Sequence, residues 1–208
     1  MKNRNIFLIV FVLILLVGNR SFSQTTNKAL TYLNTISAQY EGIHKATWEY
    51  ISSVAHNRSA RKVENNRITL LKTIRTSVNM VKKMPSFEND CSLRDSVVAF
   101  LTLNYDVMNN DFGKIIDMEQ IAEQSYDLME AYMLAQEMAN NKVDSVFARL
   151  DSQVNAFANK HNIIIIENPD KASRKLKQSS EALKYYNKIF LVFYKPYKQE
   201  IYLMEAIR

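Results

Sequence analysis

A chain of 208 residues with a single cysteine, Cys91, cannot close an internal disulfide. An odd thiol in an exported chain is either free or bridges two chains, and the plainer reading is a small residue in the loop leading into a helix. Glycine and proline number three each, so turns are scarce. Together with long periodic apolar segments, that scarcity argues for an all-helical protein. No glycine-rich phosphate loop is present, and no Ser/His/Asp or Cys/His set has supporting context. No catalytic residue, cofactor or enzymatic activity is assigned on these grounds. The surplus of positive charge is also small. The formal net charge is +6, but Lys2, Arg4 and Arg20 lie in the N-terminal segment, and without them 24 basic face 21 acidic residues. The basic clusters, Arg58–Lys62 and the lysines from Lys171 to Lys177, are short, and a nucleic-acid binder needs a basic stripe.

What is present begins with an export signal. Met1–Arg4 carries two positive charges, and Ile6–Val17 is twelve uninterrupted apolar residues. Gly18 breaks the run, and Ser21-Phe22-Ser23 places small residues before Gln24. This order is that of a secretory signal peptide cleaved between Ser23 and Gln24. The run is shorter than the ~20 residues of a membrane span, so no stable transmembrane span is expected after cleavage; retention as an anchor is the alternative.

The remainder, residues 24–208, reads as one domain. A first helix carries Ala29, Leu33, Ile36, Tyr40, Ile43, Ile51 and Val54 on one face and stops near His56–Ser59. A second, from about Ala60 to Met84, is ended by Pro85. A third opens with Ser92 as N-cap answered by Asp95, and ends in the turn-rich Asn109–Gly113, with a kinked continuous helix as the alternative. A fourth runs from Lys114 or Met118 to Asn159 and would span ~60 Å. Ile163–Ile166 favours extended backbone, read as a connector or a lone strand. The last helix contains Tyr185–Met204, apolar on every side at Ile189–Tyr194. A helix apolar all round must be covered all round. The expectation is an all-α, up-and-down bundle of four to five long helices, with the C-terminal helix central and kinked near Pro196.

Three constellations carry chemical possibilities. Glu41 and His44 form one Glu-x-x-His pair, with Trp48 one turn on. Di-iron bundles need two such pairs and two further glutamates, so no metal is assigned, and His44 is expected to stack on Trp48 at a helix contact. Glu119, Glu123, Asp127 and Glu130 form an acidic ridge, expected to be a solvated face paired to lysines of a neighbouring helix, with Lys188, Lys195 and Lys198 as the partners if the ridge faces the last helix. Tyr185, Tyr186, Phe190, Phe193, Tyr194 and Tyr197 interleave with Lys184, Lys188, Lys195 and Lys198. At helical spacing these aromatics are expected in the core, with the lysines reaching outward. A ligand-binding bundle would draw on Glu41, His44, Trp48, Glu123, Asp127 and Tyr186, provided that they converge on one cavity. Asp95-Ser96-Val97 and Asp144-Ser145-Val146 are similar to the Asp-Ser-aliphatic sites at which Bacteroidota glycosylate exported proteins.

The stretches Ile121–Tyr132, Lys160-His161-Asn162 and Tyr185–Lys195 together resemble a family of exported helical proteins of Bacteroidota and spirochaetes, named after a leptospiral surface protein. The resemblance covers nearly all of the mature chain. It implies a periplasmic, outer-surface or secreted location and brings no activity, cofactor or catalytic residue. Some members look like lipoproteins, whereas this chain has no cysteine at the end of its apolar run. The functional expectation is a non-enzymatic envelope or surface protein, macromolecule-binding or structural. Its partner would be another protein or an envelope component, and an oligomer is compatible with it. The alternative is a small-ligand or metal-binding bundle.

Overall fold

The structure is a computed structural model that describes residues 20–22, 28–56, 59–167 and 171–207. In chain order the elements are β1 (Arg20–Phe22), α1 (Lys28–Ala55), α2 (Ala60–Lys82), α3 (Ser92–Asp106), a π-helical segment (Val107–Asp111), α4 (Phe112–Ala122), α5 (Tyr126–Lys160), β2 (Ile165–Glu167) and α6 (Lys171–Ile207). The protein is an all-α bundle. Because α3, the π segment and α4 follow one another without a gap, the described helical residues form five rods.

The first two helices follow from their patterns. Leu33, Ile36, Tyr40, Ile43 and Ile51 of α1 are buried, as are Leu70, Leu71, Ile74 and Val81 of α2. Ser59 caps α2, its side chain accepting from the Lys62 N–H. The turn to α3 is built by Glu88 and Asn89, both at positive φ (49° and 65°), between the bridged residues Phe87 and Asp90. That pair of left-handed residues is the hairpin-turn geometry that tolerates Asn best. Tyr32 donates to the Pro85 carbonyl at 3.0 Å and Arg94 to the Met84 carbonyl at 3.1 Å, which pins the connector to the bundle.

Several expectations are corrected. Ser92 is the first residue of α3 and not its cap. Its N–H is taken by the Asp90 carboxylate at 2.9 Å, while Asp95 pairs with Arg94. The Asn109–Gly113 cluster does not end the helix. The backbone widens to a π turn there and continues, since no proline removes a donor. The long fourth helix is broken after Ala122. Ser125 takes extended backbone (φ −146°, ψ 165°) and its Oγ accepts from the Leu128 N–H at 3.1 Å, so α5 starts afresh at Tyr126. Its 35 residues span about 53 Å. At the far end Asn162 turns left-handed (φ 53°), and the Ile163 N–H reaches the Ala158 carbonyl at 2.8 Å. This is the Schellman arrangement that satisfies terminal carbonyls. In the full chain the isoleucine run is not a lone strand: Ile165–Glu167 pairs antiparallel with Arg20–Phe22, residues of the expected signal segment, which supply its backbone partners for as long as that segment is retained. The rest of the expected signal segment, with the cleavage residues Ser23 and Gln24, lies outside the described residues.

The largest correction concerns the C-terminal helix. The core is filled by Leu33 and Ile43 (α1), Leu70 and Ile74 (α2), Phe100 and Leu101 (α3), Met108 (π segment) and Met129, Tyr132 and Leu150 (α5). Among the described side chains of α6 the buried apolar ones are Leu176 and Tyr194. This helix lies along the outside, against α1 and α5, and is peripheral, not central. It runs on through Pro196 as one helix.

Candidate functional site

Two places on α6 collect the residues singled out in the sequence. Near its N-terminal end, His44 of α1 is 1% exposed and shares a 3.0 Å hydrogen bond through Nδ1 with the Ser173 hydroxyl. The ring of Tyr40, one turn earlier, is 6.3 Å away. Trp48 is half-buried, and its expected stacking partner is replaced by Lys175, whose Nζ stands 4.7 Å from the ring centroid. Trp48 also lines a cavity of about 210 Å³ with Glu49, Ser52, Ser53, Lys62 and Asn66. Glu41 is exposed.

The second place lies in the C-terminal half. Tyr186, Phe190, Tyr194 and Tyr197 form a ladder of rings at 5.7, 5.0 and 6.1 Å. This one-turn spacing lets successive rings stack along a helix. Tyr194 is the pin: its hydroxyl donates to the backbone carbonyl of Glu123 at 3.0 Å, in the break between α4 and α5. Burial, with Glu123 close by, pushes its phenol up to about 12. Burial also raises Tyr186. Lys195 lies 5.4 Å from the ring of Tyr126, and Lys198 5.9 Å from those of Tyr194 and Tyr202. Glu123 and Asp127 are exposed, and the break between them splits the expected acidic ridge into two short pieces.

The six candidates therefore do not form one pocket. His44 touches α6 at Ser173 and Glu123 touches it at Tyr194, twenty-one residues further on. That separation is about 31 Å along the helix axis. Tyr186 lies between the two, on the half-buried side of α6. Among the described residues no three His, Cys, Asp or Glu side chains come together to hold a metal ion. The ligand-bundle arrangement, which required convergence, is not what the fold builds.

The interleaved aromatics divide between core and surface: Tyr194 belongs to the core and Phe190 packs against it. Tyr185 (69% exposed), Phe193 (69%) and Tyr197 (55%) face solvent, together with Val192 (69%), Leu203 (60%), Met204 (56%) and Ile207 (73%). Only Tyr194 of the six is buried; Tyr186 and Phe190 are half-buried. The signal for this outward face was in the spacing. Tyr185, Ile189, Val192, Pro196 and Leu203 recur at steps of four, three, four and seven residues, and all are exposed. Such a repeat forms one straight seam down a helix. Lys184, Lys188 and Lys195, also exposed, line one flank of it. Among the described helices none is long and apolar enough to cross a membrane. Comparisons with protein-family models, with curated proteins and with solved structures found no match.

Proposed function

We propose that this chain is a non-enzymatic binding protein of the cell envelope, exported to the periplasm, the outer surface or the medium, and that the outward face of α6 is where its partner sits. One observation carries the reading. Seven large apolar side chains of a single helix, Tyr185, Val192, Phe193, Tyr197, Leu203, Met204 and Ile207, are more than half exposed. Contiguous apolar surface of that extent on a water-soluble protein marks an interaction site. Further support comes from the charged, apolar and small-residue order of the N-terminus, and from the resemblance to exported helical proteins.

The test is a photo-crosslinker placed at Phe193 in the producing cell, with the same group at Met80 as control. Met80 is also about half exposed (54%) but lies on α2. A discrete adduct from position 193 and none from position 80 is expected, and its mass reads the class of partner. Equal, diffuse labelling from both positions would overturn the reading.

A further inference from the structure

The occupant of the α6 face can be chosen by its charge. Helix α6 carries a strong surplus of positive charge, while residues 24–170 are net acidic. It has eight basic side chains (Lys171, Arg174, Lys175, Lys177, Lys184, Lys188, Lys195 and Lys198) against three acidic ones. The outward seam from Tyr185 to Ile207 is about 33 Å long. It carries aromatic and aliphatic side chains, with exposed lysines along one flank at positions 184, 188 and 195. A second copy of this helix would bring a like charge against it. Two α6 helices paired antiparallel seam to seam put the same flank against itself, lysine facing lysine.

A partner with negative charge spread over a plane, and an apolar layer beneath, meets both features at once. From these features we infer that α6 docks in the plane of an anionic phospholipid surface. In that pose Val192, Phe193, Leu203 and Ile207 dip below the phosphates, and Tyr185 and Tyr197 sit at headgroup level. Lys184, Lys188 and Lys195 extend along the flank to the phosphate oxygens. The inner face stays on the bundle through Leu176 and the Tyr194 pin, so the helix need not leave the fold to bind. Pro196 lies on the exposed face, where the Val192 carbonyl that it deprives of a helical donor can be met by water or a lipid headgroup. This inference rests on the α6 face being the binding face.

The experiment is sedimentation of the full chain with vesicles of phosphatidylcholine, with and without phosphatidylglycerol, at low and high salt. Binding to the phosphatidylglycerol vesicles that weakens with salt is expected. The triple variant K184Q/K188Q/K195Q should partition on the order of 100-fold less, from the usual electrostatic contribution of three lysines at such a surface. V192D/F193D should lose binding while keeping its helical circular dichroism, because both residues are exposed. A tryptophan at Phe193 should be quenched by brominated lipid. Vesicle binding that V192D/F193D leaves unchanged would place the contact on the apolar N-terminal run and overturn the inference. So would a lack of preference for phosphatidylglycerol, or a dimer in sedimentation velocity that V192D/F193D dissociates. A crosslink to protein from position 193 with no vesicle binding would refute the lipid partner and leave the α6 face standing as the binding site.

Discussion

Replacing Tyr194 by phenylalanine isolates the contact that holds the C-terminal half of α6 to the bundle. The ring and its stacking on Phe190 (5.0 Å) and Tyr197 (6.1 Å) are kept, and only the 3.0 Å bond to the Glu123 carbonyl is removed. Glu123 is exposed, so water can take over its carbonyl, and the loss at neutral pH should be about 1 kcal/mol. For a chain of this size that lowers Tm by roughly 2–4 °C. The pH dependence is the sharper part. The phenol titrates at about 12 when folded, against 10.0 as its ordinary value. Below pH 10 the phenol is neutral in both states and contributes its full share. Between pH 10 and 12 the unfolded state gives up the proton first, so native stability falls. An unscreened shift of that size corresponds to at most ~2.7 kcal/mol, and solvent screening at the rim of the site brings it to about 1 kcal/mol. Urea titrations of wild type and Y194F across this window should therefore show the wild-type advantage shrinking to nothing. Lysines and other tyrosines titrate in both proteins and cancel in the difference. An advantage that stays constant through the window would refute the assignment of Tyr194 as a buried, neutral hydrogen-bond donor.

Two further changes probe other parts of the frame. S173A removes the hydroxyl that meets His44 at the other end of α6 and should destabilise by about 1–3 kcal/mol, because the bond is buried. Hydrogen exchange should then quicken around residues 171–180 before it does in α1; unchanged protection there would rule out this bond as an anchor. N104L should raise stability by about 1 kcal/mol, seen as a higher urea midpoint, since it removes a buried acceptor, Asn104 Oδ1, that has no partner among the described residues. The Asn104 amide nitrogen donates only to its own helix, to Phe100 at 2.7 Å, so no long-range link is lost. A lower midpoint would mean that the side chain has a structural or functional partner.

Helices α1 and α2 were legible because each has a single buried face and each end has a local cause. Leu33, Ile36, Tyr40 and Ile43 are all buried, and Pro85 follows the last turn of α2. The break at Ser125 was not legible, for the residue suits two roles. Its spacing fits the apolar stripe of one long helix, and its hydroxyl equally suits an N-cap, the role taken in the fold. The pairing of Ile165–Glu167 with Arg20–Phe22 joins segments more than 140 residues apart, and local pattern carries no information about such partners. The proposed pocket failed for a related reason. Glu41 and His44 are neighbours on one helix, but three residues of rotation carry Glu41 to solvent while His44 enters the contact with Ser173. Helical spacing fixes what a residue's neighbours are on its own helix. It does not fix which helix arrives opposite.

The misplacement of α6 carries the most physical content. Its sequence demands cover on every side, and from that demand a central position follows only if the chain itself supplies all the cover. The bundle core is already filled by α1, α2, α3 and α5, whose largest buried side chains include Tyr132, Phe100, Leu33 and Ile43. Those helices shield the Leu176 and Tyr194 side of α6 and leave Tyr185, Val192, Phe193 and Leu203 in water. Burying a side chain of this kind is worth about 1.5–3 kcal/mol, so several left exposed together form a persistent driving force toward a second surface. The same helix concentrates the positive charge of the chain, which disfavours its own copy and favours an acidic plane. The fold therefore meets the demand for cover on one side of α6 only, and the side chains that misled its placement are those on which the proposed docking rests.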